Sequence, residues 1–469
     1  MALTIEQVPL YGTGRGTAPV GQDLIFTLKD NTVVGANFNV KFVASIHIST
    51  SGINLATSTD LVGTFKTTPN NAGVGIFNVR SILESFVSPD NLGSSESEFK
   101  AVPASDGIEV PLHLIDKFSL NDNTLRYLKI RFTVEGSATS GGSPIPIGSA
   151  TDSNQYNVFN GYVKYTDALK IILGNFGYDT LGFLMGTSGR FLTNAPLTQY
   201  ANIEDYGTLS FMATPNDGSP ATTTVDSISF KYYDSSDGVL AAETVDNTDA
   251  NGGYTTYSSV TQEDLLHVGC FPANLQNWSS TFQALVTANT ISYYTIKLLD
   301  SSNATMSETV RINVNCPTLK GYEPIRLTWL NQWGVWDYYT FNMKSTKTIS
   351  TKGSTYEQLE GTWNESVYKL NGFKGGKKAF RVNATEKIQM NTDFVSESES
   401  EWFEELINSP EVYILKGFAT TSITSLLNQY ATPVRLTTSS YTKKTVANDK
   451  LMQYTFEVEK SKTLRTQSV

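Results

Sequence analysis

Apolar and polar residues alternate along the first part of the chain. In DLIFTLKD (23–30), NFNVKFVASIHIS (37–49), VGTFKT (62–67) and GVGIFNV (73–79) every second position is apolar, and the clusters DN, TSG and TPNNAG separate the runs. A period of two predicts strands with one buried face, joined as antiparallel neighbours by turn residues. In VRSILESFVSPD the spacing changes to that of a helix at Val79, Ile82, Leu83 and Phe86 and stops at Pro89. One short amphipathic helix is therefore expected to cover the sheet. Strands are predicted again at 125–135 and 155–165, and GSATSGGSPIPIGSATDSN between them reads as a loop or arm.

A second region, 205–318, carries short runs (GTLSFMA, SISFKYYD, LAAETVDN, YYTIKLLD, ETVRINVN) between Asp/Ser/Gly turns. That spacing predicts an immunoglobulin-like β-sandwich. The third region, 319–469, opens with LTWLNQWGVWDYYTF at 327–341. Ile325, Leu327 and Trp329 share one face of an incoming strand, NQWG makes a turn, and Tyr339, Phe341 and Met343 share one face of the outgoing strand. Trp336 and Tyr338 have the opposite parity, and Trp333 sits at the turn, so a lone domain would leave these rings in water and a cover from outside it is expected. Strands are predicted at 366–371 and 378–390. In SESESEWFEELINSPEVYIL, Ser398 and Glu401 make a capping-box pattern, Trp402, Phe403, Leu406 and Ile407 an apolar stripe, and Pro410 a stop. The closing strand alternates at Met452, Tyr454, Phe456 and Val458. The expected fold class is mainly β: three modules (1–204, 205–318 and a barrel-like 319–469) of sandwich or barrel type with a few short capping helices.

Composition agrees with pleated, half-buried surfaces, since aromatics make up 11% of 469 residues, with 23 Tyr and 24 Phe. Lys and Arg total 35 against 45 Asp and Glu, a net charge of -10, and no basic run could neutralise a row of phosphates. Sequence-specific nucleic-acid binding is not expected, although an acidic lumen would let DNA pass without sticking. The first residues, MALTIEQVPLYGTGRG, lack a basic-then-apolar leader pattern, and no apolar run is long enough to span a bilayer, so neither export by that route nor a membrane span is expected. Cys270 and Cys316 fit synthesis in a reducing cytoplasm; a bridge and two buried thiols both stay open. The sequons at Asn277, Asn303, Asn364 and Asn383 then read as chance matches.

Candidate chemistry is sparse. The three histidines, His47, His113 and His267, are far apart in sequence and read as satisfied structural residues. GTGRGTA at 12–18 has no preceding strand and no Lys-Ser/Thr pair, so it reads as an N-terminal arm and not a phosphate loop. Asn247, Asp249, Asn251 and Gly252 echo the start of a calcium loop, but Ser258 stands where a bidentate acid is needed. Glu404, Glu405 and the Glu397, Glu399, Glu401 group read as solvated charges and helix-dipole partners, not a glycosidase pair. No catalytic, metal or cofactor residue is assigned.

TFKTTPNNAGVGIFNVRSILESFV, RFLTNAPLTQYANIEDYGTLSF, YEPIRLTWLNQWGVWDYYTFNMKS and EWFEELINSPEVYIL with YTKKTVANDKLMQYTFEVEKS occur in an order that resembles structural proteins of tailed bacteriophages, including crAss-like ones. The resemblance spans most of the chain. It implies a non-enzymatic virion subunit of a tail, neck ring or baseplate, made in the bacterial host cytoplasm. The implied partners are copies of itself in a ring and other virion proteins such as portal, neck, tail or fibre components. On that reading Trp333, Trp336 and Tyr338 are the expected subunit-interface residues, buried across a heterologous contact, and the segments 10–20 and 136–154 are arms that order on a neighbour. The alternatives are a glycan-binding adhesin or receptor-binding tail protein, whose exposed rings would stack on sugars, and a cell-wall hydrolase.

Overall fold

A computed structural model describes residues 3–9, 17–50, 52–56, 59–94, 110–162, 169–172, 175–178, 189–213, 225–253, 264–315, 321–416, 430–438, 440, 442, 452–462 and 464–465. The fold is mainly β, in several separate sheets with short helices, as the alternation predicts. The chain divides into two compact units. The first contains Met1–Asn315 and Leu330–Asp337; the second contains Cys316–Trp329, Tyr338–Phe418 and Asn428–Val469.

In chain order the first unit begins β1 (Thr4–Gln7), β2 (Thr17–Pro19), β3 (Ile25–Lys29), α1 (Asn31–Ala36), β4 (Phe38–Ser49), β5 (Leu61–Thr67), β6 (Val74–Asn78) and α2 (Arg80–Leu83). It continues β7 (Phe118–Leu120), β8 (Leu125–Ser137), β9 (Ile145–Asp152), β10 (Tyr156–Phe159), β11 (Leu169–Ile172) and β12 (Asn175–Tyr178). β1-β3-β6 form one sheet and β2-β10-β8-β4-β5 another, with β9 added to β8; the chain crosses between the two sheets from β1 to β4 and again around β6. Phe42, Ala44, Ile46 and Ile48, one parity of β4, are buried, as period two requires. Phe26 and Phe77 of the first sheet meet Phe132 of the second at 5.7 and 6.1 Å between ring centroids, which closes a sandwich core. The expected loop at 136–154 is a correction: Ile145–Asp152 pairs antiparallel with β8, from Gly136↔Ile145 to Arg131↔Asp152. Of the arm expected at 10–20, residues 10–16 lie outside the described residues.

The rest of this unit holds β13 (Thr198–Asn202), β14 (Thr208–Ala213), β15 (Ser227–Tyr233), β16 (Val239–Asp246), β17 (Asp264–Gly269), α3 (Pro272–Trp278), α4 (Ser280–Thr287), β18 (Tyr293–Leu299) and β19 (Val310–Asn315). One sheet has the order β13-β19-β18-β15-β16, the other β14-β17-β7. Both sheets lie within the first unit, and residue 204 is not a unit boundary, since Met1–Asn315 falls in one unit. Leu120, Ser119 and Phe118 of β7 pair with Leu266, His267 and Val268 of β17, so the second sheet takes a strand from the first region. The helices α3 and α4 were not foreseen, although Pro272 at the first helical position and the Ser279 cap, which accepts from Phe282 N–H, are standard start signals.

The remaining elements are β20 (Ile325–Leu330), β21 (Trp336–Phe341), β22 (Ser345–Gln358), β23 (Gly376–Asn391), α5 (Glu397–Asn408), β24 (Val412–Leu415), β25 (Ala431–Leu436), β26 (Thr455–Lys460) and β27 (Leu464–Arg465); apart from Leu330, Trp336 and Asp337, which belong to the first unit, they lie in the second. Its sheet has the order β21-β20-β24-β25-β26-β23-β22, with β27 on β23. The end strands β21 and β22 are not paired with each other among the described residues, so the sheet is open where a barrel-like closure was expected. α5 lays Trp402, Phe403 and Leu406 on it, and Trp402 meets Trp329 at 4.8 Å, Phe403 meets Tyr339 at 4.8 Å and Phe403 meets Phe456 at 5.4 Å. The capping box is real but two residues earlier than expected: Ser396 is the cap and Glu399 its partner. Residues 366–371 are not a strand; they belong to the connection between β22 and β23.

Candidate interaction surface

The β22–β23 hairpin is built from Thr, Ser, Ile, Tyr and Val, which suit an extended backbone, and pairs from Ser345↔Met390 to Gln358↔Gly376. Only its base belongs to the wider sheet. β26 pairs with Lys387–Asn391 and β27 with Asn383 and Ala384, so beyond Lys352↔Asn383 the hairpin continues as a two-stranded ribbon among the described residues. At about 3.3 Å per residue that ribbon is roughly 20 Å long. β22 is exposed along almost its whole length.

The connection at the end of the ribbon is folded, not slack. Thr362 Oγ1 donates to Val367 O at 2.9 Å and accepts from Lys369 N–H at 2.8 Å, and Trp363 Nε1 donates to Glu360 O at 2.6 Å. Lys378 Nζ donates to Gln358 Oε1 and to Phe373 O, pinning the turn to the strands. Gly361 has φ +72 and lies against the Tyr368 ring, where a Cβ would come within 2.4 Å of a ring carbon, so the close approach requires glycine. Trp363 and Tyr368 meet edge to face at 5.8 Å.

These bonds hold apolar side chains outward. Leu359, Trp363, Val367, Tyr368, Leu370 and Phe373 are 55–74% exposed. Trp329, Trp333, Trp336 and Trp402 are buried and Trp278 is half-buried, whereas Trp363 is 68% exposed. Three of the six are aromatic, each burying roughly 150–250 Å² when covered, and with the three aliphatic side chains added the set offers on the order of 600–900 Å² of unburied apolar area. A monomer rarely leaves that much apolar surface together unless something binds it.

The residues expected at a subunit contact lie elsewhere. Trp333 is 1% exposed and stacks on Phe159 at 6.2 Å in a cluster with Leu125, Tyr127 and Leu192. Trp336 is 2% exposed; its Nε1 donates to Asp90 O at 2.7 Å and its ring meets His113 edge-on at 5.3 Å. Tyr338 is 4% exposed, with the Arg326 guanidinium 5.1 Å from its ring centroid. The expectation that Trp333, Trp336 and Tyr338 await another subunit is therefore corrected: the chain itself supplies the cover. Sequence reasoning missed Trp363, whose available signal was an apolar set scattered among Gly, Asn and Lys without either strand or helix period.

Three residue types of an acyl-transfer triad do meet. Ser210 Oγ lies 2.8 Å from His267 Nδ1, and His267 Nε2 lies 3.3 Å from Asp90 Oδ2. Asp90 Oδ1 also accepts from Asn123 N–H at 2.6 Å. Burial raises the Asp90 carboxyl pKa, but His267, Thr124 and the Asn123 N–H outweigh it and hold the group below the ordinary aspartate value. All three side chains are at most 4% exposed, which seals the hydroxyl from a substrate, so the network acts as a buried clasp. His47, also buried, is held below the ordinary imidazole value by burial first and by Arg131 second.

No group of three or more His, Cys, Asp or Glu that could hold a metal occurs among the described residues. In the calcium-like segment Lys117 Nζ donates to Asn251 Oδ1 at 2.6 Å, placing a cation where a metal would need that oxygen; Ser258 lies outside the described residues. Cys270 is buried, and Cys316 lies outside the described residues. Glu405, expected in solvent, is buried on α5. A cavity of about 280 Å³ in the second unit is rimmed by Lys347, Lys416 and Lys460, of which Lys347 pairs with Glu323 and Lys460 with Glu386. No helix among the described residues is long and apolar enough to cross a membrane.

No family model matches the chain, and neither does any curated protein.

Proposed function

We propose that the chain is a non-enzymatic structural subunit of a tailed-bacteriophage virion, in a tail, neck-ring or baseplate assembly, as its resemblance implies. The observation that supports this reading is the β22–β23 arm: a long ribbon that ends in an ordered, outward-facing apolar loop. Such a loop gains free energy only when another surface covers it, which is the property an assembly subunit needs. Mass spectrometry of purified particles, with antibody labelling against this chain, tests the proposal: the expected result is stoichiometric incorporation and a labelled position near the tail or neck. Absence from intact particles refutes it.

The second reading is a glycan-binding adhesin or receptor-binding tail protein. Its support is the exposed Trp363–Tyr368 pair, since paired rings at a loop can stack on sugar faces. Retention of host polysaccharide by the wild-type chain, lost in Trp363→Ala without loss of particle incorporation, selects this reading over the first.

A further inference from the structure

The arm and the rest of the chain carry opposite charge. Residues 345–391 hold eight Lys/Arg and four Asp/Glu, a net of +4, in a chain of net -10. Between 369 and 381, Lys369, Lys374, Lys377, Lys378 and Arg381 occur without an acid. Residues 201–315 are the reverse, with thirteen Asp/Glu and three Lys/Arg, a net of -10. Part of that acidity lines a sheet edge. β16 is the end strand of β13-β19-β18-β15-β16, so one side of it has no strand neighbour among the described residues. Asp226, Asp237 and Asp246 are exposed around it, with Ser227 and Asp246 opposite one another in the ladder and Val239 54% exposed.

We infer that the arm of one copy docks on the acidic edge around β16 of a second copy. This rests on the assembly reading and names the partner. Three features carry it. The charges are complementary, which steers and orients encounter. The apolar area at the loop, on the order of 600–900 Å², matches the roughly 800 Å² that each partner of a standard protein interface buries. Donor and acceptor are different surfaces of the same chain, so the contact is heterologous and repeats from copy to copy, generating a ring or filament. A lipid surface is the competing partner for a basic, aromatic loop, but Glu357, Glu360 and Glu365 within the same loop and strand end weaken attraction to an anionic bilayer.

The test is a charge swap on the purified full-length chain. Lys369→Glu/Lys374→Glu/Lys377→Glu reverses the arm, and Asp226→Lys/Asp246→Lys reverses the acceptor; all five positions avoid the Lys378 pin. Circular dichroism and melting temperature confirm that each variant folds. In sedimentation velocity at low salt the wild type is expected to self-associate, each variant alone to associate at least tenfold more weakly, and an equimolar mixture of the two variants to recover association. A photo-crosslinker at position 363, with one copy isotopically labelled, is expected to join different copies near 226–246. Variants that associate like wild type, or crosslinks confined to one chain, overturn the inference. So does cosedimentation of the wild type, but not of the arm variant, with phosphatidylserine vesicles. A chain found in particles but indifferent to the swap sinks this contact alone, whereas a chain absent from particles that still obeys the swap sinks the virion reading alone.

Discussion

Replacing Trp336 separates a core role from a contact role. The ring is 2% exposed and its indole N–H donates to the Asp90 carbonyl at 2.7 Å. Burying a tryptophan removes roughly 150–250 Å² from water, about 4–6 kcal/mol at 25 cal/mol per Å². An extended-chain reference overstates that by about 10–40%, which brings it to about 3–5 kcal/mol, the range seen for large aromatic truncations. Trp336→Ala is therefore expected to destabilise the first unit by about 3–5 kcal/mol. Trp336→Phe, which keeps a ring but strands the Asp90 carbonyl, should cost about 1–3 kcal/mol. Urea unfolding followed by far-UV circular dichroism, at a concentration where the chain is monomeric, reads both values. Trp363→Ala, at 68% exposure, should shift the same curve by no more than about 0.5 kcal/mol. A Trp336→Ala chain as stable as wild type but unable to associate would refute the reasoning and return Trp336 to a subunit contact.

Other outcomes follow from single positions. Gly334 has φ +73, and a Cβ there would lie 1.7 Å from the Asn160 backbone oxygen, so Gly334→Ala should cost well over ~1 kcal/mol in the same unfolding assay. Ser396→Ala removes the cap that accepts from Glu399 N–H and should cost about 0.5–2 kcal/mol, visible as a lower urea midpoint for the second unit. His47 has a folded pKa below its ordinary 6.5, so its contribution is fully present above that pH and is lost as pH falls from 6.5 toward the folded value; His47→Gln should remove that slope from stability measured against pH. Asp90 likewise contributes above its ordinary 3.8 and loses that contribution as pH falls through its lower folded value, a step that Asp90→Asn should abolish.

Local pattern alone determined the mainly β class, the alternation that buries Phe42, Ile46, Tyr454 and Phe456, and the α5 stripe with its preceding serine cap. Each is fixed within one element, because strand period and capping chemistry depend on residues a few positions apart. α1 was lost for the same reason in reverse: Asp30 caps a six-residue helix too short to show a period, so the segment looked like a turn. Only the tertiary structure decided which aromatic rings are covered. Trp336 is sealed by Asp90, 246 residues away, and β17 finds its neighbour in β7, pairings that no local period encodes. Trp363 has the same indole but stands in the connection between β22 and β23, where no other layer covers it among the described residues, so it is 68% exposed. Burial depends on what the rest of the chain brings to a face, whereas the sequence around a residue states only which face it is on.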